Sequence, residues 1–264
     1  MDTSMKRIVM SDAFRCRNIE RLASVDSTNT YLKRRITRSE LSPFWPSAVT
    51  ASSQSEGRGR RGRSWLDTDG ALLMSIAFPL TDPDNQLPFI SISAAVGALR
   101  TVKPYLQNAA IKWPNDIVVT EGNGYKKLCG ILSELCYDPH GKAYAVCGVG
   151  INVNCRALPE GLLQPATSVF IETGHTAELK SLSESLYDNV ANVFDLITVN
   201  RITLLEEYSA NCITIGKDII ASDLSGSTLE GRAVALDDIG RLIVSSKDGL
   251  HTVSAADVSI RDHN

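Results

Sequence analysis

The residues best placed to do chemistry form one run, Gln54-Ser55-Glu56-Gly57-Arg58-Gly59-Arg60-Arg61-Gly62-Arg63-Ser64-Trp65, which holds four arginines and three glycines. The whole chain carries a formal net charge of -3, so this positive charge is local and not a general property. Guanidinium forks match carboxylate and phosphate oxygens two at a time, and they stay charged at any working pH. Glycines let the backbone fold closely over a small ligand. The run therefore reads as a flexible loop that grips an anion. Taken literally, Gly57 to Gly62 fits the GxGxxG pattern of dinucleotide-binding proteins, which requires a helix starting on the glycines. Here residues 63–70 lead towards another strand, which excludes that reading, and Gly148-Val149-Gly150 lacks the third glycine. Arg/Gly segments can also track a nucleic-acid backbone. Against that stand the negative net charge, an aromatic content of 6% and the lack of an obvious stacking platform beside the loop.

Two further groups of residues point the same way. Lys112-Trp113-Pro114-Asn115-Asp116 puts a cation, amide and carboxylate oxygens and a large ring into five residues, and Lys126-Lys127-Leu128-Cys129-Gly130 adds positive charge on a neighbouring strand. With the arginine loop these make an anion-binding face with a candidate metal site at Asp116. Asp26-Ser27-Thr28-Asn29 precedes a helix-compatible run. Its oxygens suit capping of the first helical turn, and its hydroxyls suit hydrogen bonds to a polar ligand ring.

The elements that must position these residues are read from periodicity. Residues 47–51 and 71–78 predict strands on either side of the arginine loop, and residues 87–103 a buried helix with Pro88 in its first turn. Residues 117–120, 126–136 and 144–153 predict three strands joined by short turns, an antiparallel meander. Apolar residues at spacings of three and four from Leu179 to Ile197 predict an amphipathic helix over 177–200, and a second helix spans 201–211. Beyond Gly216, runs at 218–221, 228–236, 241–245, 250–254 and 258–260 predict a small β-barrel. The expected division is an irregular extension at 1–24, a catalytic domain at 25–214 and a barrel at 215–264.

A chain of 264 residues, 43% hydrophobic, can bury a full core. It has no apolar run of membrane-spanning length and no secretory h-region in its first residues. Its six cysteines form no CxxC pair and its four histidines no HExxH pattern, which argues against structural zinc and for reduced thiols in the cytoplasm.

Taken in order, residues 26–29, Gln54, 57–62, 112–116, 127–130, 148–152 and Pro165-Ala166-Thr167-Ser168-Val169 resemble the motifs of the biotin protein ligases, from about residue 25 to the C-terminal barrel. The resemblance implies an α+β catalytic domain with a mainly antiparallel sheet like that of class II synthetases, followed by an SH3-like barrel. It implies activation of biotin by ATP to biotinyl-AMP, then transfer to a lysine of a biotin carboxyl carrier protein domain. On this basis Ser27, Thr28, Asn29, Gln54, Gly57, Gly59 and Gly130 would bind biotin, while Arg58, Arg60 and Lys127 would act at the reacting carboxyl and phosphate. Trp65 would line the pocket; Lys112, Asn115 and Asn152 would serve ATP, and Asp116 a magnesium ion. Residues 1–24 are too few for the winged DNA-binding domain of the regulatory members, so neither DNA nor a membrane is an expected partner, and monomer and homodimer stay open. A lipoate-protein ligase is the nearest alternative, and an Arg/Gly nucleic-acid binder the alternative from another class.

Overall fold

The computed structural model describes residues 18–159, 161–162, 164–223, 226–255 and 259–262. Residues 1–17 of the expected extension, with Cys16, lie outside the described residues, as does Val258 of the last expected strand.

What precedes residue 25 is not irregular throughout, because Ile19–Val25 is a strand, β1. It runs parallel to β2 (Ser47–Gln54), in register from Ile19↔Ala48 to Val25↔Gln54. As a sheet edge it carries Glu20 and Arg21, which suit an exposed border and hide it from an apolar-periodicity search. Between them lies helix α1 (Thr28–Thr37). The chain continues through β3 (Ala71–Pro79), a short helix α2 (Pro83–Gln86), a 3-10 turn at Leu87–Phe89 and helix α3 (Ile90–Val102). The single helix expected over 87–103 is thus divided: Pro88 lies in the 3-10 turn, and the Gln86 side chain accepts the amides of Thr81 and Asp82, both at 2.9 Å.

Strands β4 (Ala109–Lys112), β5 (Asp116–Glu121), β6 (Gly124–Tyr137) and β7 (Ala143–Asn152) follow. The sheet order is β1-β2-β3-β7-β6-β5-β4, and every pair except β1 with β2 is antiparallel. Successive residues of β3 face opposite ways. Leu72, Met74, Ile76 and Phe78 enter the main core under α3 and two later helices, α5 (Leu179–Val199) and α6 (Arg201–Ala210). Leu73, Ser75 and Ala77 face the other side, where α1 and the site lie. Before α5 comes α4 (Val169–Thr173), five residues capped by Ser168 and too short to leave a periodic signal.

Strands β8 (Asp218–Ser222), β9 (Thr228–Leu236), β10 (Leu242–Ser246), β11 (Gly249–Val253) and β12 (Ser259–Asp262) form a second sheet, order β11-β10-β9-β8-β12, antiparallel throughout. Ile219, Ala221, Ala233, Leu242, Val244 and Val253 belong to the same core cluster as the large sheet, so the small sheet is packed onto the large one.

Candidate active site

The site is built on the face of the large sheet opposite the helices. Its base is the glycine-bearing stretch of β6 and β7, where Gly130 and Gly150 stand opposite each other. The indole of Trp65 lies flat on this pair. A Cβ at Gly130 would come within 2.7 Å of the ring and one at Gly150 within 2.6 Å, so only glycine leaves room. Gly148-Val149-Gly150 is thus a seat for side chains and not a phosphate loop. Trp65 Nε1 is buried with no hydrogen-bond partner among the described residues. Such an orphan donor costs about 1–3 kcal/mol and points to a ligand acceptor.

A β-bulge aims Lys127 into the site. The β5–β6 register steps from Ile117↔Cys129 to Val118↔Lys127, so β6 carries one extra residue. Leu128 and Cys129 both turn to the core, and Lys127 comes onto the same face as Gly130. Its Nζ lies 2.7 Å from Asp116 Oδ1 and 5.7 Å from the centre of the Trp65 ring.

The arginine loop folds as a narrow hairpin and not as an unstructured flap. Trp65 N–H donates to Gly57 O (2.9 Å), Gly59 N–H to Arg63 O (2.7 Å), and Arg58 bridges to Ser64. A 3-10 turn over Arg60–Gly62 places Arg61 in the left-handed region at φ 57°. The two leading arginines are held differently. Arg60 turns inward: its Nη1 donates to Asn115 Oδ1 (2.9 Å), its Nη2 to the carbonyl of Ala255, and burial pulls its guanidinium below its ordinary pKa. Arg58 is half exposed and touches Glu134 at 3.3 Å.

At the other end is a polar cup. Gln54 Oε1 accepts both the amide (2.7 Å) and the hydroxyl (2.9 Å) of Thr28, and Ser75 Oγ donates within a network reaching Thr28 Oγ1 (2.7 Å) and Asn29 Oδ1 (2.6 Å). Ser27 holds the N-cap position of α1, but its side chain makes no capping bond. A cap expected of the Asp-Ser-Thr run is supplied instead by Gln54 from the end of β2, and Ser27 lines the pocket. Asn29 Nδ2 donates to Glu134 Oε2 (2.9 Å), and Lys33 pairs with Glu134 Oε1 (2.7 Å). Burial pushes the Glu134 carboxyl up, but Lys33, Asn29 and Arg58 together bring it below the usual carboxylate value.

The third wall is the Lys112 to Asp116 run. The Trp113–Pro114 peptide is cis, and Trp113 is anchored by Thr214 Oγ1 (3.0 Å to its amide) and Gly240 O (3.2 Å to its indole). Gln164 joins Lys112 (3.4 Å) to Asp116 Oδ2 (3.1 Å). Among the described residues there is no cluster of three or more His, Cys, Asp or Glu able to hold a metal by themselves. A lone Asp116 fits magnesium carried largely by phosphate oxygens, which commonly takes one or two protein carboxylates.

Of the residues expected at the site, Ser27, Thr28, Asn29, Gln54, Arg58, Gly59, Arg60, Trp65, Lys112, Asn115, Asp116, Lys127 and Gly130 line one pocket. Gly57 does not: it sits behind the loop, where a Cβ would meet the Trp65 carbonyl at 2.4 Å. Asn152 is buried away from the pocket, donating to Thr167 O (3.0 Å), and Lys126 pairs with Glu121 (2.7 Å). Ser75, Glu134 and Gln164 were missed because each reaches the site singly, with no motif around it.

One pocket thus joins hydrogen-bonding side chains of α1 and β2 to cations of the arginine loop, β4 and β6. The chain matches the Biotin/lipoate A/B protein ligase family over residues 22–152 and the Biotin protein ligase C terminal domain over residues 214–261. It is 30% identical to the biotin–[acetyl-CoA-carboxylase] ligase of Mycobacterium tuberculosis over 251 residues, 92% of this chain and 88% of that one. It is 28% identical over 217 residues to the bifunctional ligase/repressor of Bacillus spizizenii, a match covering 80% of this chain but 65% of the longer protein. In fold it is similar to the Aquifex aeolicus biotin protein ligase solved with biotin and ATP, at TM-score 0.79 and 24% identity, covering 94% of this chain and 100% of that one. The chain belongs to the biotin protein ligase family.

Proposed function

We propose that this protein joins biotin to ATP, releasing pyrophosphate, and passes the biotinyl group from the adenylate to a lysine of a biotin carboxyl carrier protein domain. The observation that carries this reading is one pocket with a neutral hydrogen-bonding cup at one end and convergent cations at the other. Ser27, Thr28 and Gln54 suit a ureido ring. Arg58, Arg60 and Lys127 suit a carboxylate meeting a phosphate. The names of the relatives support it, and the glycine-seated Trp65 favours biotin over lipoate as a rigid lining for a fused ring.

In the first step a carboxylate oxygen of biotin bonds to the α-phosphorus as the bond to the β-phosphate oxygen breaks. Both partners are anionic, so the barrier is largely electrostatic and positional. Arg58 closes from its exposed position onto the reacting group, while Arg60, already fixed by Asn115, needs little reordering. Lys112 and Asn115 serve the ATP phosphates. Magnesium, when bound, neutralises phosphate charge and would be held by Asp116. In the second step a neutral lysine amine attacks the acyl carbon and AMP leaves. Surrounding cations make a nearby ammonium acidic. Asp116 becomes free to accept its proton once Lys127 has turned from it to the acyl phosphate.

The same proposal places the catalytic chemistry in residues 25–214, extended back by β1, and the barrel in 215–264. It assigns no DNA-binding role, is compatible with a monomer or a homodimer, and sets the protein in the cytoplasm, where the five described cysteines, all free thiols, would stay reduced. No helix among the described residues is long and apolar enough to cross a membrane. The test is acyl transfer to an apo-carrier domain with ATP, magnesium and either biotin or lipoate. Transfer of biotin is expected; transfer of lipoate alone would overturn the assignment.

A further inference from the structure

Ser75, on β3, is fully buried and does not line the pocket, yet it touches two residues that do. Its Oγ lies 2.7 Å from Thr28 Oγ1 and 2.6 Å from Asn29 Oδ1. Which of these oxygens can offer a hydrogen to a ligand follows from the groups around them. Both hydrogens of Asn29 Nδ2 are taken, by Leu132 O at 3.2 Å and Glu134 Oε2 at 2.9 Å, and a carbonyl and a carboxylate can only accept. Asn29 Oδ1 must therefore face Ser75. Gly148 makes room for it, because a Cβ there would come within 2.4 Å of this oxygen. Gln54 is fixed in the same way: the Thr28 amide can only donate, so the atom it meets at 2.7 Å is Oε1, and Nε2 is the donor that Gln54 keeps for the pocket it lines.

Asn29 Oδ1 and Gln54 Oε1 are thus pure acceptors joined through two hydroxyls, and the chain has three close contacts: Asn29 with Ser75, Ser75 with Thr28, and Thr28 with Gln54 at 2.9 Å. Two hydroxyls have only two hydrogens between them, so both are drawn into the chain whichever way each one turns. Thr28 Oγ1 is left with lone pairs, and no hydrogen, for the pocket. Two oxygens this close repel unless a hydrogen lies between them. With Ser75 in place, turning the Thr28 hydrogen outward leaves two of the three oxygen pairs without one; without Ser75 it leaves a single pair so.

We propose that Ser75 is a positioning residue for substrate selection, holding the Thr28 hydroxyl as an acceptor so that the cup takes a ring with an N–H beside its carbonyl and rejects one with an oxygen there. The inference rests on the ligase reading given above, in which the cup receives a ureido ring. An acceptor at Thr28 and a donor at Gln54 suit the N–H and the carbonyl of that ring.

The test is calorimetric binding to the full chain and to Ser75→Ala and Ser75→Cys. The ligands are biotin and its two cyclic-carbamate analogues, in each of which a ring oxygen replaces one ureido N–H. Wild type should bind at least one analogue about 100-fold more weakly than biotin, because lone pairs would face lone pairs. Ser75→Ala should narrow that ratio about tenfold, since Thr28 is then freer to donate. Ser75→Cys, a weaker donor of similar size, should fall between, and it decides by the same ratio if Ser75→Ala does not fold. A ratio unchanged in the variants would overturn the proposal, and if every ligand weakened equally with a lower melting temperature Ser75 would be packing only. Wild-type binding of both analogues within about twofold of biotin would overturn it as well. Pyrophosphate release by wild type with biotin and ATP is scored separately: none, with the ratios as predicted, would defeat the ligase reading while supporting the role of Ser75. A wild type that binds none of the three ligands would overturn both.

Discussion

Arg58 and Arg60 come from one loop, two residues apart, and the structure separates their work. Arg60 is desolvated and satisfies Asn115 Oδ1 and the Ala255 carbonyl, so it belongs to the architecture as well as to the pocket. Arg58, with a side chain 51% exposed, rests on Glu134, a contact worth little in water. Arg58→Ala should therefore slow adenylate formation by about 100- to 1,000-fold, as removal of one charge-stabilising donor does, while shifting stability by no more than about 0.5 kcal/mol. Arg60→Ala should also lose about 1 kcal/mol of stability, because two part-buried acceptors lose their donor. Single-turnover kinetics beside urea melts check both. Wild-type kinetics in Arg58→Ala would show that this side chain does not touch the reacting groups.

At the scale of elements, the site depends on how β6 and β7 are shaped. The bulge at Leu128 brings Lys127 round to Gly130, and paired glycines leave a flat floor for Trp65. Gly130→Ala would push a methyl group against the ring. A cost of about 1–3 kcal/mol is expected from the overpacking, together with a changed indole emission and reduced activity. Unchanged emission and activity would mean that the seat does not position Trp65. Much of this site was legible in the sequence, because an arginine-glycine loop, a Lys-Trp-Pro-Asn-Asp run and an Asp-Ser-Thr-Asn run are dense local signals. The apolar spacing of α5 was legible for the same reason. What was not legible depends on pairing between distant strands: the bulge, the capping of α1 by Gln54, the reach of Glu134 and Gln164, and the polar edge strand β1. Gly57 and Asn152 were expected at the site but do not line the pocket, since a motif shows which residues are adjacent in the chain but not which way each one faces.

At the scale of the whole molecule, the small barrel and the large sheet share a core and are tied together by hydrogen bonds. Arg61 reaches Ser222 O (3.1 Å), Trp113 reaches Gly240 O, and Arg60 reaches the carbonyl of Ala255. Inside that core, burial pushes the thiol of Cys147 from 9.0 up to about 12 and that of Cys129 higher still. Below the ordinary thiol value both folded and unfolded chains keep these protons. As pH rises past it, only the unfolded chain releases them, so the stabilisation is lost towards the folded value. Each such thiol should cost about 1.4 kcal/mol per pH unit in that window. Melting curves across the alkaline range should show this fall, with Cys129 and Cys147 labelled by thiol reagents only on unfolding. Prompt labelling of either in the native protein would contradict the packing described.

One pocket is proposed to hold biotin and ATP in reacting geometry before any carrier arrives. The most direct test is to mix the protein with biotin, ATP and magnesium without a carrier and to quantify bound biotinyl-AMP and released pyrophosphate in the first turnover. A burst of both, close to one per active site, is the predicted result. No adenylate with biotin, from folded protein that forms one with lipoate or retains RNA instead, would contradict it.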